Sequence, residues 1–173
     1  MKTTFTAAVA ATLALSASQA AAHASLEVKE AALNANYKAV MRVSHGCAGQ
    51  ATESVTITIP EGVINAKPKP KPGWELTTVV EPYARTYEYH GQRSEGVTSI
   101  TWTGRLEDAH YDEFIFRARI TDAFEPGQML YFPTVQTCAD GSLEWVVIPV
   151  AGEERPRRPA PGLKLLEGGH AHH

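Results

Sequence analysis

Apolar and polar residues alternate along most of this chain with a period of two, and a helical period is nowhere sustained. Ser54-Val-Thr-Ile-Thr-Ile59 is the clearest case. Val55, Ile57 and Ile59 face one way, while Ser54, Thr56 and Thr58 face the other, as in a half-buried strand. Similar β-prone runs include Leu26 with Val28, Tyr37–Val43, Trp74–Val80, Arg85–Tyr89 and Val97–Thr103. Others are Glu113–Ile120, Met129–Phe132 with Val135–Thr137, and Leu143–Ile148. Turn signals part them: Asn34-Ala-Asn36, Pro60-Glu-Gly62, His90-Gly91, Glu95-Gly96, Pro126-Gly127 and Asp140-Gly141. The pattern predicts an all-β fold, an antiparallel immunoglobulin-like sandwich of about nine short strands. Asp140-Gly141 predicts a hairpin between the last two of them.

Two stretches break the pattern. In Lys67-Pro-Lys-Pro-Lys-Pro-Gly73, three alternate prolines remove backbone donors, which suits a loop or edge segment and excludes a central strand. Its lysines are read either as a docking surface or as a solvated connector. From Ala151 onward, charge and proline dominate. Residues 151–173 are expected as a flexible tail, with Leu163–Leu166 able to pack back and His170, His172 and His173 read either as an uninformative flexible terminus or as able to catch metal ions.

The N-terminus reads as a secretory signal: Lys2, an apolar run from Phe5 to Leu15, then a polar stretch ending in Ala20-Ala-Ala22. The apolar run is too short to span a bilayer. Two cuts satisfy the small-residue rule. A cut after Ala24 would remove His23; a cut after Ala22, the reading carried forward, makes His23 the first mature residue. Residues 1–22 are then signal peptide, 23–150 the sandwich and 151–173 the tail. The exported compartment is expected to be the periplasm.

About 150 residues remain, enough for one domain with a sizeable core. The chain carries 16 Lys and Arg against 19 Asp and Glu, and so mild an acidity argues against nucleic acid as a partner. Cys47 and Cys138 read most simply as one disulfide of an exported protein, closing a loop of about 90 residues. Free thiols and thiolate ligands are the alternatives.

A mature N-terminal His23 carries an α-amine beside its imidazole, and the two nitrogens can chelate one ion. Cu(II) suits nitrogen donors in a square arrangement. Further ligands must come from elsewhere. Candidates are His45, on a loop next to Cys47, and the carboxylates Glu27, Glu30 and Glu53. Trp145 is read either as core packing or as an aromatic wall over the ion. If Cys47 and Cys138 are bonded, His45 and the Gln136–Trp145 hairpin share one neighbourhood.

The chain resembles the YcnI-like family of exported copper-binding domains. The resemblance runs through Ala22-His23, Tyr37–Val43, His45-Gly-Cys47, Ile59–Val63, Lys69–Trp74, Tyr111–Phe114, Tyr131–Gln136, Cys138, Gly141 and Trp145. It implies a sandwich binding one Cu(II) through the mature N-terminal histidine with a nearby tryptophan, roles that map to His23 and Trp145. Some relatives are described as pairing one histidine with a carboxylate. Here the loop reads Ser44-His45-Gly46-Cys47 without an acid, which makes His45 the natural substitute and leaves Glu27, Glu30 and Glu53 as weaker candidates. The expected function is storage, buffering or delivery of Cu(II), not catalysis. The partners would be copper ion and another periplasmic copper carrier or a membrane copper transporter. A copper-dependent monooxygenase and a metal-free interaction module are the alternatives.

Overall fold

The structure, a computed structural model, describes residues 24–168. The signal segment, His23 and the histidines at 170–173 lie outside the described residues. Twelve strands form in chain order. They are β1 (Ser25–Leu26), β2 (Glu30–Ala32), β3 (Ala35–Val43), β4 (Thr52–Thr58), β5 (Val63–Pro68) and β6 (Glu75–Glu88). Then come β7 (Gln92–Leu106), β8 (Asp112–Ile120), β9 (Met129–Tyr131), β10 (Thr134–Cys138), β11 (Gly141–Trp145) and β12 (Gly162–Leu166). Among the described residues there is no helix.

Three sheets result, ordered β1-β3-β8-β5, β11-β10-β4-β7-β6 and β2-β12-β9. Every strand pairing is antiparallel except that of β12 with β2. The alternation read from the sequence decides which side chains go inward. Val55, Ile57 and Ile59 are buried, and Met41, Phe114, Phe116, Ile120, Trp102 and Phe132 join them in one continuous core. The edge rings of Trp74 and Trp102 both meet Phe114, with centroids 5.0 and 5.6 Å away. Such T-shaped pairs add to the area they bury.

Two differences from the expected layout have physical causes, and one expectation, the edge position of the proline-rich run, is met. Trp74–Val80 and Arg85–Tyr89 are parts of one strand, β6. Its register shifts between Val79 and Val80 and again between Pro82 and Tyr87, so it absorbs Pro82 at an irregularity rather than ending there. The proline-rich run begins at the end of β5, an edge strand of its sheet, as the missing donors require.

The second difference corrects the expectation of a flexible tail for residues 162–168 and meets the one that Leu163–Leu166 packs back, while residues 169–173 lie outside the described residues. Residues 162–166 form β12, which lies between β2 and β9. Leu163 and Leu165 alternate inward and are fully buried, and that burial holds the segment against its charged, proline-rich approach. Leu165→Ala is therefore expected to destabilise the domain by about 2–5 kcal/mol. Chemical denaturation checks this, and a loss below about 0.5 kcal/mol would mean that β12 adds nothing to the core.

The N-terminal segment is tied down from two sides. Glu27 N donates to Val40 O (3.0 Å) and Lys164 N to Lys29 O (2.8 Å). Tyr37 Oη donates to Val28 O at 2.6 Å. Burial, then the nearby Glu27 charge, pushes the Tyr37 phenol up to about 12. The neutral, donating form is thus favoured by folding. Its contribution is complete below the ordinary value of 10.0 and is lost as pH rises towards about 12.

Candidate functional site

His45 lies just past the end of β3, half-buried, on a turn that the sequence builds tightly. Cys47 N donates to Gln50 O (3.1 Å) and Gln50 N returns a bond to Cys47 O (3.0 Å). Ala48 and Gly49, between them, both take positive φ, 51° and 87°. A Cβ on Gly46 would stand 1.6 Å from Gln50 O, so only glycine fits before Cys47. Gly46 N donates to Asp108 Oδ1 at 3.0 Å, which anchors the loop to the chain following β7.

The Cys47–Cys138 disulfide is present, with a Cα–Cα distance of 6.0 Å. Beside it, Gln50 Nε2 donates to Asp140 Oδ2 (2.6 Å), and Asp140 N donates to Gln50 Oε1 (3.1 Å). The turn is thereby stapled to the β10–β11 hairpin, which closes at Cys138 opposite Gly141. This is the hairpin that Asp140-Gly141 predicts.

Gln136 of β10 completes the junction. Its side chain is 2% exposed, and its Nε2 donates to His45 O (2.6 Å) and to Thr52 Oγ1 (2.7 Å). Both amide protons are used, so the side chain is held in one orientation. Gln136→Leu would leave one buried and one half-buried acceptor without that donor and is expected to cost about 1–3 kcal/mol, read as a lowered denaturation midpoint. An unchanged midpoint would show that water replaces the amide.

Gln136 also ties His45 to the strand that pairs with Trp145. Thr134, two residues along β10 and so about 7 Å away, pairs with Trp145 across the hairpin. Trp145 is buried in the main core. Thr134 Oγ1 contacts Met41 Sδ at 4.0 Å, and Met41 pairs with Leu26 of β1. One corner therefore unites the start of β1, the end of β3 and the β10–β11 hairpin. The expectation that the disulfide makes neighbours of His45 and the Gln136–Trp145 hairpin is met by direct bonding.

The His45 ring has a defined donor arrangement. Its Nδ1 is 2.5 Å from Gly46 O, and a carbonyl can only accept, so Nδ1 carries the proton. In the neutral ring the lone pair is then on Nε2, the nitrogen that can bind a metal.

The three carboxylates do not converge on this corner. Glu27 is paired with Arg42 at 2.9 Å, and Arg42 also reaches Glu113 at 3.6 Å. Glu53 stands on β4 beside β10, but it is exposed on the outer face while its neighbour Thr52 turns inward to Gln136. Glu30 is exposed on β2, opposite Lys164 in register, with no ion pair among the described residues. Among the described residues no three His, Cys, Asp or Glu side chains group closely enough to hold a metal. Donors from outside the described residues are needed for any metal centre here. Ala24, the neighbour of His23, is buried, and Ser25 pairs with Arg42 one residue before the end of β3.

The residues missed from sequence are Thr52, Asp108 and Gln136. Thr134, Gln136 and Cys138 share the inward face of β10 at period two. A polar residue at such a position is the signal that could have singled out Gln136.

No curated protein matches the chain. A solved crystal structure of an uncharacterised protein from Nocardia farcinica, described as revealing an immunoglobulin-like fold, is similar. It shares 25% identity with a TM-score of 0.62, over 83% of this chain and 98% of that one. The family profile described as a domain of unknown function (DUF1775) matches residues 23–165, and the chain belongs to that family.

Proposed function

We propose that the mature chain begins at His23, binds one Cu(II) at this corner, and stores, buffers or hands on the ion in the periplasm. The observation that carries the reading is the Gln136–His45 hydrogen bond. It holds the His45 main chain beside the hairpin that bears Trp145, while the separate Nδ1 contact with Gly46 O leaves the ring's Nε2 lone pair available. His23 would supply its amine and one ring nitrogen, and His45 a third nitrogen. Bound copper would contribute a square, nitrogen-preferring centre. Trp145 would form its apolar wall.

Two further points support a start at residue 23. The family match begins there. A cut after Ala24 would also remove a residue that is buried at the entrance to β1. For the remaining donor, Glu30 is the second choice, because Glu27 is engaged with Arg42 and Glu53 is exposed on the outer face of β4. A site at a chain terminus suits a carrier that passes its ion to another copper carrier or a membrane copper transporter.

Calorimetric titration of the mature protein with Cu(II) tests the reading. Saturation at about one equivalent is expected, and absence of binding overturns it. His45→Ala and Glu30→Gln then assign the outer donor. The true ligand's variant should change the Cu(II) electron paramagnetic resonance spectrum and lower the affinity by at least about tenfold. Reductant-driven oxygen consumption above that of free copper would replace the carrier role with an oxygenase.

A further inference from the structure

The outer face of the β1-β3-β8-β5 sheet is electrostatically divided. At one end Arg42 is neutralised by Glu27 and Glu113. Further along, Lys38 of β3 stands opposite Arg117 of β8, and Arg117 stands opposite Lys67 of β5. Three cations thus form one row across three adjacent strands, and all three side chains are exposed. Lys69 follows immediately, its N bonded to Ile115 O at 2.8 Å. Among the described residues none of these four side chains forms an ion pair. Lys71 of the same proline-rich run differs, since it is paired with Asp112.

Like charges directly opposite across strands oppose folding. This row does so in a chain whose formal net charge is −3. A shallow hollow of about 290 Å³ lies among the cations, lined by Lys38, Lys67, Pro68, Lys69, Ile115 and Arg117. Its floor is apolar and its rim is basic.

We infer that this face docks an acidic peptide segment of a partner protein, with one apolar side chain seated on Pro68 and Ile115 between flanking carboxylates. Charge complementarity selects an anion. The open, three-strand breadth of the row suits several carboxylates in succession. A lipid surface fits less well. The large apolar side chains exposed among the described residues are Val28, Val79, Val80, Tyr111, Met129, Val147, Ile148, Val150 and Leu166. None belongs to β3, β5 or β8, so this face has nothing to insert between headgroups. The inference is independent of copper.

The test uses a labelled Asp-Glu-Asp-Leu-Asp-Glu-Asp peptide, its Asn/Gln counterpart, and vesicles of phosphatidylglycerol or phosphatidylcholine, each with the metal-free protein. The acidic peptide alone should bind. Its amide shift changes should map to β3, β5 and β8, and its affinity should fall by about tenfold between about 0.02 and 0.2 M salt. The variant Lys38→Gln/Lys67→Gln/Arg117→Gln should bind at least about tenfold more weakly and melt no lower than the parent, because it removes repulsion. Arg42→Gln, at the neutralised end, should bind within about twofold of the parent. Equal binding of the amide peptide, undiminished binding by the triple variant, or no peptide binding overturns the proposal. Sedimentation with phosphatidylglycerol vesicles in place of peptide binding assigns the face to a membrane instead.

Discussion

Replacing Cys47 and Cys138 together by alanine is expected to lower the melting temperature by about 10 °C or more. The bond joins residues 91 apart. In the chain-entropy model a crosslink of that span is worth about 4–5 kcal/mol. For a domain of this size each kcal/mol moves the midpoint by about 2–4 °C. The Gln50–Asp140 and Gln136–His45 bonds would remain, but such contacts constrain the unfolded chain hardly at all. Scanning calorimetry of the double variant beside the parent decides the matter. A shift under about 3 °C would mean that the unfolded chain already keeps these two regions together. Weaker Cu(II) binding by the same variant is expected, since the His45 turn loses its covalent anchor.

Extending the mature protein by a single residue ahead of His23 should produce the largest functional loss. The extension turns the terminal amine into an amide, whose nitrogen offers no lone pair for chelation, and leaves the imidazole alone. The affinity should fall by more than the about 100-fold typical of losing an outer-shell partner. Competition titrations of the extended and authentic forms measure it, and circular dichroism checks that both are folded. Equal affinities would remove the amine from the ligand set and leave the histidine rings and Glu30 to be tested by themselves.

Much of the sandwich was legible in single residues. Val55, Ile57 and Ile59 announced their face of β4 because one side of that strand is solvated and the other is core. The proline run declared itself an edge because it lacks donors. One feature was half legible, as a leucine run able to pack back, and another was hidden. β12 is five residues long, and its Leu163 and Leu165 follow a stretch whose charge and prolines outweigh them in any composition window. Gln136 looked like one more polar strand residue. Its meaning comes from His45, 91 positions away, and that proximity depends on strand register across two sheets. The Cys47–Cys138 pair was the one long-range constraint readable in advance, which is why it located half of the corner.

The position of β12 also orders events in time. β2 finds its sheet partner only in residues 162–166, and Lys29 O receives its bond from Lys164. β2 therefore cannot be fixed in its sheet until the last strand has been synthesised, whereas β1 pairs with the nearby β3. Contacts of such sequence separation close slowly. The chain must lie down almost whole before the segment from Lys29 to Ala32 takes its place. That part of the N-terminal segment is thus a late product of folding, although it comes first in the chain.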